Sequence, residues 1–116
     1  MRRKYPDDFV LNGPSRKRQV ALSFDDGPDL TFTPRILDVL REHGVKATFF
    51  VVGNRVAAHP DVVKRMVREG HVVANHSWDH PNLAKMSPEK VRMQLVRAED
   101  VIFRVAGYRP KLFRPP

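Results

Sequence analysis

The order of short apolar runs and amphipathic stretches constrains this chain more than any other feature of it. VALSF (20–24) is followed by TPRILDVLREHG (33–44), ATFFVV (47–52) by PDVVKRMVREG (60–70), and HVVAN (71–75) by SPEKVRMQLVRAEDVIFRVAG (87–107). Each run has the length and β-branched or aromatic content of a strand. Each stretch after it repeats apolar residues at helical spacing: Ile36, Leu37 and Leu40, then Val62, Val63, Met66 and Val67, then Val91, Leu95, Ala98, Ile102 and Val105. The punctuation agrees. Thr33 is the expected cap of the first helix with Pro34 at a first helical position, Ser87 and Pro88 open the third, and Gly44, Gly70 and Gly107 are the expected stops. The last residues, KLFRPP (111–116), read as a fourth strand cut off at its end. Strands alternating with helices imply parallel strands joined by crossovers, in an open doubly wound sheet or in part of a (β/α) barrel.

A chain of 116 residues is long enough for one domain with a core and too short for two. Residues 1–19 form a polar lead containing Pro and Gly, and residues 20–116 carry the strand and helix pattern. The lead begins with charges as a signal peptide does, but no apolar segment follows them and no run is long enough to span a membrane. The sequence therefore leaves the compartment open. It also leaves the oligomeric state open. Without cysteine, any metal must be held by His, Asp or Glu. Lysine and arginine outnumber the acids 21 to 13, a formal charge of +8. These residues are scattered through the helical stretches without interleaved aromatics, which fits solvated helix faces and argues against nucleic acid. An acidic wall polymer remains compatible with the same charge.

Both architectures place their functional groups at the C-terminal ends of the strands. Those ends carry Asp25 and Asp26, then Gly53 and Asn54, then the segment NHSWDH (75–80), then Arg114, Pro115 and Pro116. DDGPD (25–29) alone is a good turn sequence. Adjacent acids at a strand end also diverge, so one carboxylate can bind a metal while the other faces water. His76 and His80 stand four apart, and Pro81 argues against a continuing helix; a loop can still bring both imidazoles to one metal. One carboxylate and two imidazoles form the open three-ligand set that metal-assisted hydrolysis needs. Arg114 before two prolines is either a rigid turn or a guanidinium that pairs with Asp25 and fixes its direction. Among the other polar and aromatic residues, Asn54 is expected to cap the next helix, and His43, His59 and His71 to hold helix-end or surface positions. Trp78 and Tyr108 are candidates either for sugar contact or for loop packing.

SFDDGP (23–28), NHSWDH (75–80) and FRPP (113–116), in this order and spacing, resemble the first three signature motifs of the polysaccharide deacetylases, the NodB-homology or carbohydrate esterase family 4 domain. The resemblance runs from about Val20 to the last residue. It implies part of a distorted (β/α) barrel and an enzyme that removes N-acetyl groups from chitin-like glycans or peptidoglycan, or O-acetyl groups from xylan. It further implies that Asp25 is the catalytic base and that Asp26, His76 and His80 hold a divalent metal, commonly zinc, with cobalt, nickel or manganese as alternatives. Ser77 would brace the histidine loop, Arg114 would hold Asp25, and Pro115 and Pro116 would support it. Family members act mostly outside the cytoplasm, on wall or extracellular glycans.

In that family the third motif continues with an aromatic residue and a glycine, and later segments supply a groove wall and a histidine acting as general acid. None of these follows Pro116 here. The expectation is therefore a domain cut after its fourth strand, with weak or no turnover alone. Three rivals share the rim residues or the pattern. One is a non-catalytic metal- or glycan-binding remnant, and another is a metal-dependent phosphoesterase. The third is a receiver-like phosphoacceptor domain, which would need a lone aspartate at the end of its third strand and a lysine at the end of a fifth.

Overall fold

The structure is a computed structural model describing residues 21–116. The polar lead and Val20, the first residue of the expected first strand, lie outside the described residues. Three short strands, β1 (Leu22–Asp25), β2 (Ala47–Val51) and β3 (Val72–Asn75), form one parallel sheet in the order β1-β2-β3. Phe24 lies opposite Phe49, and Phe49 opposite Val73. Helix α1 (Phe32–Glu42) joins the first two strands. Helices α2 (Gly53–Ala58) and α3 (Pro60–Arg68) join the second and third, and α4 (Pro88–Ala106) follows a single 3-10 turn at Leu83–Lys85. Three parallel strands in sequential order fit a barrel segment and equally the first half of a doubly wound sheet, whose order reverses only after its third strand.

Beyond α4 the chain returns beside β3, as the KLFRPP reading requires, but only one residue deep. Phe113 makes a single parallel bridge to Asn75, flanked by hydrogen bonds from Asn75 N–H to Leu112 O (2.9 Å) and from Arg114 N–H to Asn75 O (3.0 Å). The next two residues are prolines, which have no N–H to extend such a ladder.

The core lies on one face of the sheet. Leu37 and Leu40 of α1, Val63 and Met66 of α3, and Val101 and Ile102 of α4 pack on Phe49, Val51 and Val73. The expected stripes supply most of these residues. Val101 was not among them, and the expected Val91, Leu95 and Val105 are only half-buried. On the surface of this face, Arg65 of α3 binds Asp38 of α1 and Glu69 together, which ties the two crossover helices to each other.

Three local expectations are corrected, and the open choice for the two aromatics falls to packing. Thr33 does not cap α1, because it lies inside the helix. The carboxylate of Asp29 caps it instead, accepting from the N–H groups of Thr31, Phe32 and Thr33, while the Thr33 hydroxyl accepts from Asp29 N–H at 3.1 Å. Burial alone would raise the Asp29 carboxyl, but the hydrogen bonds from the N–H groups of Phe32, Thr33 and Thr31 together hold it below its usual range. Helix α2 was not expected at all, and Asn54 lies inside it without a capping bond, exposed. The two aromatics pack: the Tyr108 hydroxyl accepts from Val73 N–H at 2.9 Å, and Trp78 is half-buried beneath the guanidinium of Arg97.

The third correction is His71, which is a core residue, 5% exposed, edge-on to Phe49. Its Nδ1 accepts from Ala47 N–H at 3.0 Å, at the start of β2. Burial lowers its pKa below 6.5; Lys46 and Arg65 act in the same direction and Glu69 opposes them. A second proton would have to sit on Nδ1, where it would displace the Ala47 bond. A group with a depressed folded pKa stabilises the fold above its unfolded value and loses that contribution as pH falls. The chain is therefore expected to lose stability as pH drops below 6.5, and His71→Gln, which can still accept from Ala47, should flatten that loss. Urea midpoints at pH 7.5 and pH 5 check this, and equal acid sensitivity in both proteins would refute it.

Candidate functional site

Hydrogen bonds running past the strand ends build the rim. Asp26 N–H donates to Phe50 O (3.2 Å), His76 N–H to Val51 O (3.0 Å) and Val52 N–H to Gly27 O (2.9 Å). The loop after β3 is tied from within and from α4. Ser77 is fully buried, its N–H donates to Asn75 Oδ1 (2.8 Å), and its hydroxyl accepts from His80 N–H (3.1 Å). Asn75 Nδ2 donates in turn to Leu95 O of α4 at 3.1 Å. Gln94, a residue the sequence reading passed over, accepts from the N–H groups of Trp78 (2.9 Å) and Asp79 (3.3 Å) and donates to Asp79 Oδ1 (2.9 Å). The only signal for it is a polar residue beside the apolar stripe of a helix that follows the loop.

Asp26 (φ 77°), Ser77 (φ 72°) and His80 (φ 63°) are the non-glycine residues with positive φ among those described. Left-handed backbone costs about 1–2 kcal/mol per residue, and such costs concentrate where side chains must be aimed. Here the aim is convergence. Asp26 Oδ1 lies 3.1 Å from His76 Nε2 and 3.1 Å from His80 Nε2, and the three ligand atoms lie within 4.8 Å of one another. His76 is buried, while Asp26 and His80 open to solvent.

The chemistry of this donor set fits a cation. His76 Nδ1 lies 2.7 Å from Arg114 O, an acceptor, so Nδ1 carries a proton and Nε2 faces the Asp26 oxygen. Two electron-rich atoms at 3.1 Å attract each other only through a shared cation, a proton or a metal ion. One carboxylate and two imidazoles suit a divalent ion of the zinc type.

Asp25 points elsewhere. Arg114 Nη1 donates to its Oδ1 at 2.8 Å, Nη2 donates to Ser23 Oγ at 3.2 Å, and the guanidinium lies over the Phe50 ring, 4.2 Å from its centroid. Arg114 thus serves both halves of the rim, with its side chain on Asp25 and its carbonyl on His76. Pro115 and Pro116 follow it, exposed. Asn54 and Asp79 border the triad in a shared cavity, while His43 lies exposed at the end of α1 and His59 between α2 and α3.

A parallel βα sheet with acids, imidazoles and a guanidinium gathered at its C-terminal rim defines the class, an α/β protein with its functional groups at the strand ends, and its likeness to solved relatives makes it part of a (β/α) barrel. The chain belongs to the polysaccharide deacetylase family, whose model matches residues 12–116. It is 52% identical over 108 residues to a peptidoglycan-N-acetylglucosamine deacetylase of Bacillus cereus, a match covering 93% of this chain and 39% of the relative. Among solved structures, the Bc1960 peptidoglycan N-acetylglucosamine deacetylase, in complex with a hydroxamate-type benzamide, superposes with a TM-score of 0.85 at 53% identity, covering 89% of this chain and 48% of that one. A family 4 acetyl xylan esterase from Clostridium thermocellum, solved with a cobalt ion, superposes with a TM-score of 0.80 at 48% identity, covering 83% and 47%. The chain therefore spans about two-fifths to half the length of these relatives. Among the described residues no helix is long and apolar enough to cross a membrane.

Proposed function

We propose that this chain provides the metal-binding and proton-accepting half of a deacetylase site, and that its reaction is hydrolysis of N-acetyl groups on a cell-wall glycan of the peptidoglycan type. The observation that carries the reading is the pair of unlike constellations on one rim: a carboxylate with two imidazoles, and beside it a carboxylate held by an arginine. In this reading Asp26, His76 and His80 hold a divalent metal, zinc being the first candidate from the donor set and cobalt, nickel or manganese the others. Such an ion supplies Lewis acidity, polarising an acetamide carbonyl and making water a nucleophile near neutral pH.

The remaining roles belong to the protein. Arg114 holds Asp25 so that one carboxylate oxygen is engaged and the other is available to accept a proton from the attacking water. The Arg114 carbonyl fixes the His76 tautomer, and Ser77 fixes the backbone of His80. Water adds to the acetamide carbon, Asp25 takes its proton, and that proton passes to the leaving nitrogen as the carbon–nitrogen bond breaks, giving a free amine and acetate. The relatives named as peptidoglycan deacetylases favour an amide over an ester, and a site of action at the wall.

The test is acetate release from an N-acetylglucosamine oligomer by the zinc-supplied chain. Release is expected to stop with a chelator and to return with zinc. Zinc bound without any acetate, both in this chain and in one extended to the length of its relatives, would sink the catalytic reading in favour of a metal- or glycan-binding role.

A further inference from the structure

Arg55 is the charged group beside the site that the proposed chemistry leaves unused. It sits in the first turn of α2, exposed, and lines both cavities that flank Asp26. One, of about 450 Å³, it shares with Asp25, Asp26 and Phe32; the other, of about 320 Å³, with Asp26, Asn54, Asp79 and His80. Arg41, Arg65, Arg109 and Arg114 each pair with an acid; Arg55, like Arg35, Arg68, Arg92, Arg97 and Arg104, has no carboxylate in salt-bridge contact among the described residues, and of these six it is the one that lines the cavities beside Asp26. The acids in the smaller cavity have other partners, Asp26 facing the two imidazoles and Asp79 accepting from Gln94.

The position of Arg55 is also fixed. Gly53 N–H donates to Ser77 O and Asn54 N–H to Trp78 O, both at 2.9 Å, which pins the turn carrying Arg55 to the loop carrying His76 and His80. Val52 N–H donates to Gly27 O at 2.9 Å, which ties the same turn to the loop carrying Asp26. The backbone that carries Arg55 is thus held beside the reacting position, and its guanidinium, with no carboxylate partner among the described residues, can reach into both cavities and offer two parallel N–H donors to what enters. The group matching that fork is a carboxylate.

We infer that Arg55 sets substrate specificity by binding a carboxylate carried by the glycan close to the acetylated sugar. The inference rests on the deacetylase reading and sharpens it, since it separates an anionic glycan from a neutral one at the same site.

Binding tests it without requiring turnover. The zinc-loaded chain is titrated calorimetrically with a disaccharide of N-acetylglucosamine and N-acetylmuramic acid, whose lactyl ether supplies a carboxylate, and with the neutral diacetylchitobiose. Wild type is expected to bind the acidic disaccharide about tenfold more tightly. In Arg55→Gln the ratio of affinities should fall to near one, and Arg55→Lys should keep only part of it, because an ammonium lacks the fork. A wild type without preference, or an Arg55→Gln protein with the wild-type ratio, would overturn the inference. The deacetylase reading fails differently: no acetate would be released from either glycan while the binding preference stands.

Discussion

Asp26→Ala is expected to lose zinc affinity by at least about 100-fold, while Asp25→Asn keeps the metal and loses acetate release by about 10³-fold. The two acids are neighbours in sequence, yet the strand end turns them apart. Asp26, with φ 77°, aims its Oδ1 at both imidazoles, whereas the Oδ1 of Asp25 takes the Arg114 guanidinium at 2.8 Å. Removing the Asp26 carboxylate leaves two imidazoles, a donor pair that has lost its negative ligand. Asparagine at 25 keeps the shape of the side chain and can still accept from Arg114 through its amide oxygen. It cannot take a proton from water. The metal should therefore be indifferent to that change while the reaction is not. Calorimetric zinc titration and acetate release, run on both variants, separate the roles. Equal metal loss in both would mean that the carboxylates act as one unit and that the assigned division is wrong.

The parts of the site legible in the sequence were those in which residue type alone limits chemistry. Without cysteine, a metal needs His, Asp or Glu, and those residues fell at strand ends that the apolar runs had already marked. Asp25, Asp26, His76, His80 and Arg114 do meet on one rim. What was not legible depended on backbone acting as a partner. The Arg114 carbonyl on His76 Nδ1 joins residues 38 apart and leaves no trace in side-chain identity. Gln94 reads as one more polar helix residue until the loop amides of Trp78 and Asp79 are seen to need an acceptor. Helix α2 spans only six residues, too few to show a periodicity, and its placement comes from tertiary bonds to the histidine loop. His71 is read as a helix-end or surface residue because a histidine at the start of an apolar run gives no hint that its ring turns inward to accept from Ala47. The fourth strand was read correctly in place and wrongly in extent, since its pairing ends at the prolines.

The unexpected helix carries the largest structural prediction, at Gly53. Alanine is the better helix former by about 1 kcal/mol, so propensity alone favours Gly53→Ala. Packing opposes it. A Cβ at this position would lie 2.6 Å from Trp78 Cε3, 3.0 Å from Ala98 Cα and 3.1 Å from Ala98 Cβ. Neither neighbour yields easily: Trp78 is covered by Arg97 and its backbone is held by Gln94, and the Ala98 contact includes the main chain of α4. Helix α2 must then move off α4, at an overpacking cost of about 3 kcal/mol that outweighs the propensity gain. The net destabilisation of about 2 kcal/mol should lower Tm by roughly 10 °C in a domain of this size. The same movement stretches the bonds from Gly53 N–H to Ser77 O and from Asn54 N–H to Trp78 O, which steady the loop bearing His76 and His80. Zinc affinity should therefore fall about tenfold although no ligand has changed, as happens when the support behind a metal ligand is loosened. Thermal denaturation of the metal-free protein and zinc titration of the folded variant measure the two effects separately. A Tm within about 2 °C of wild type would show that α2 can slide without cost. Unchanged zinc affinity in a destabilised variant would show that the histidine loop is held by Asn75, Ser77 and Gln94 alone.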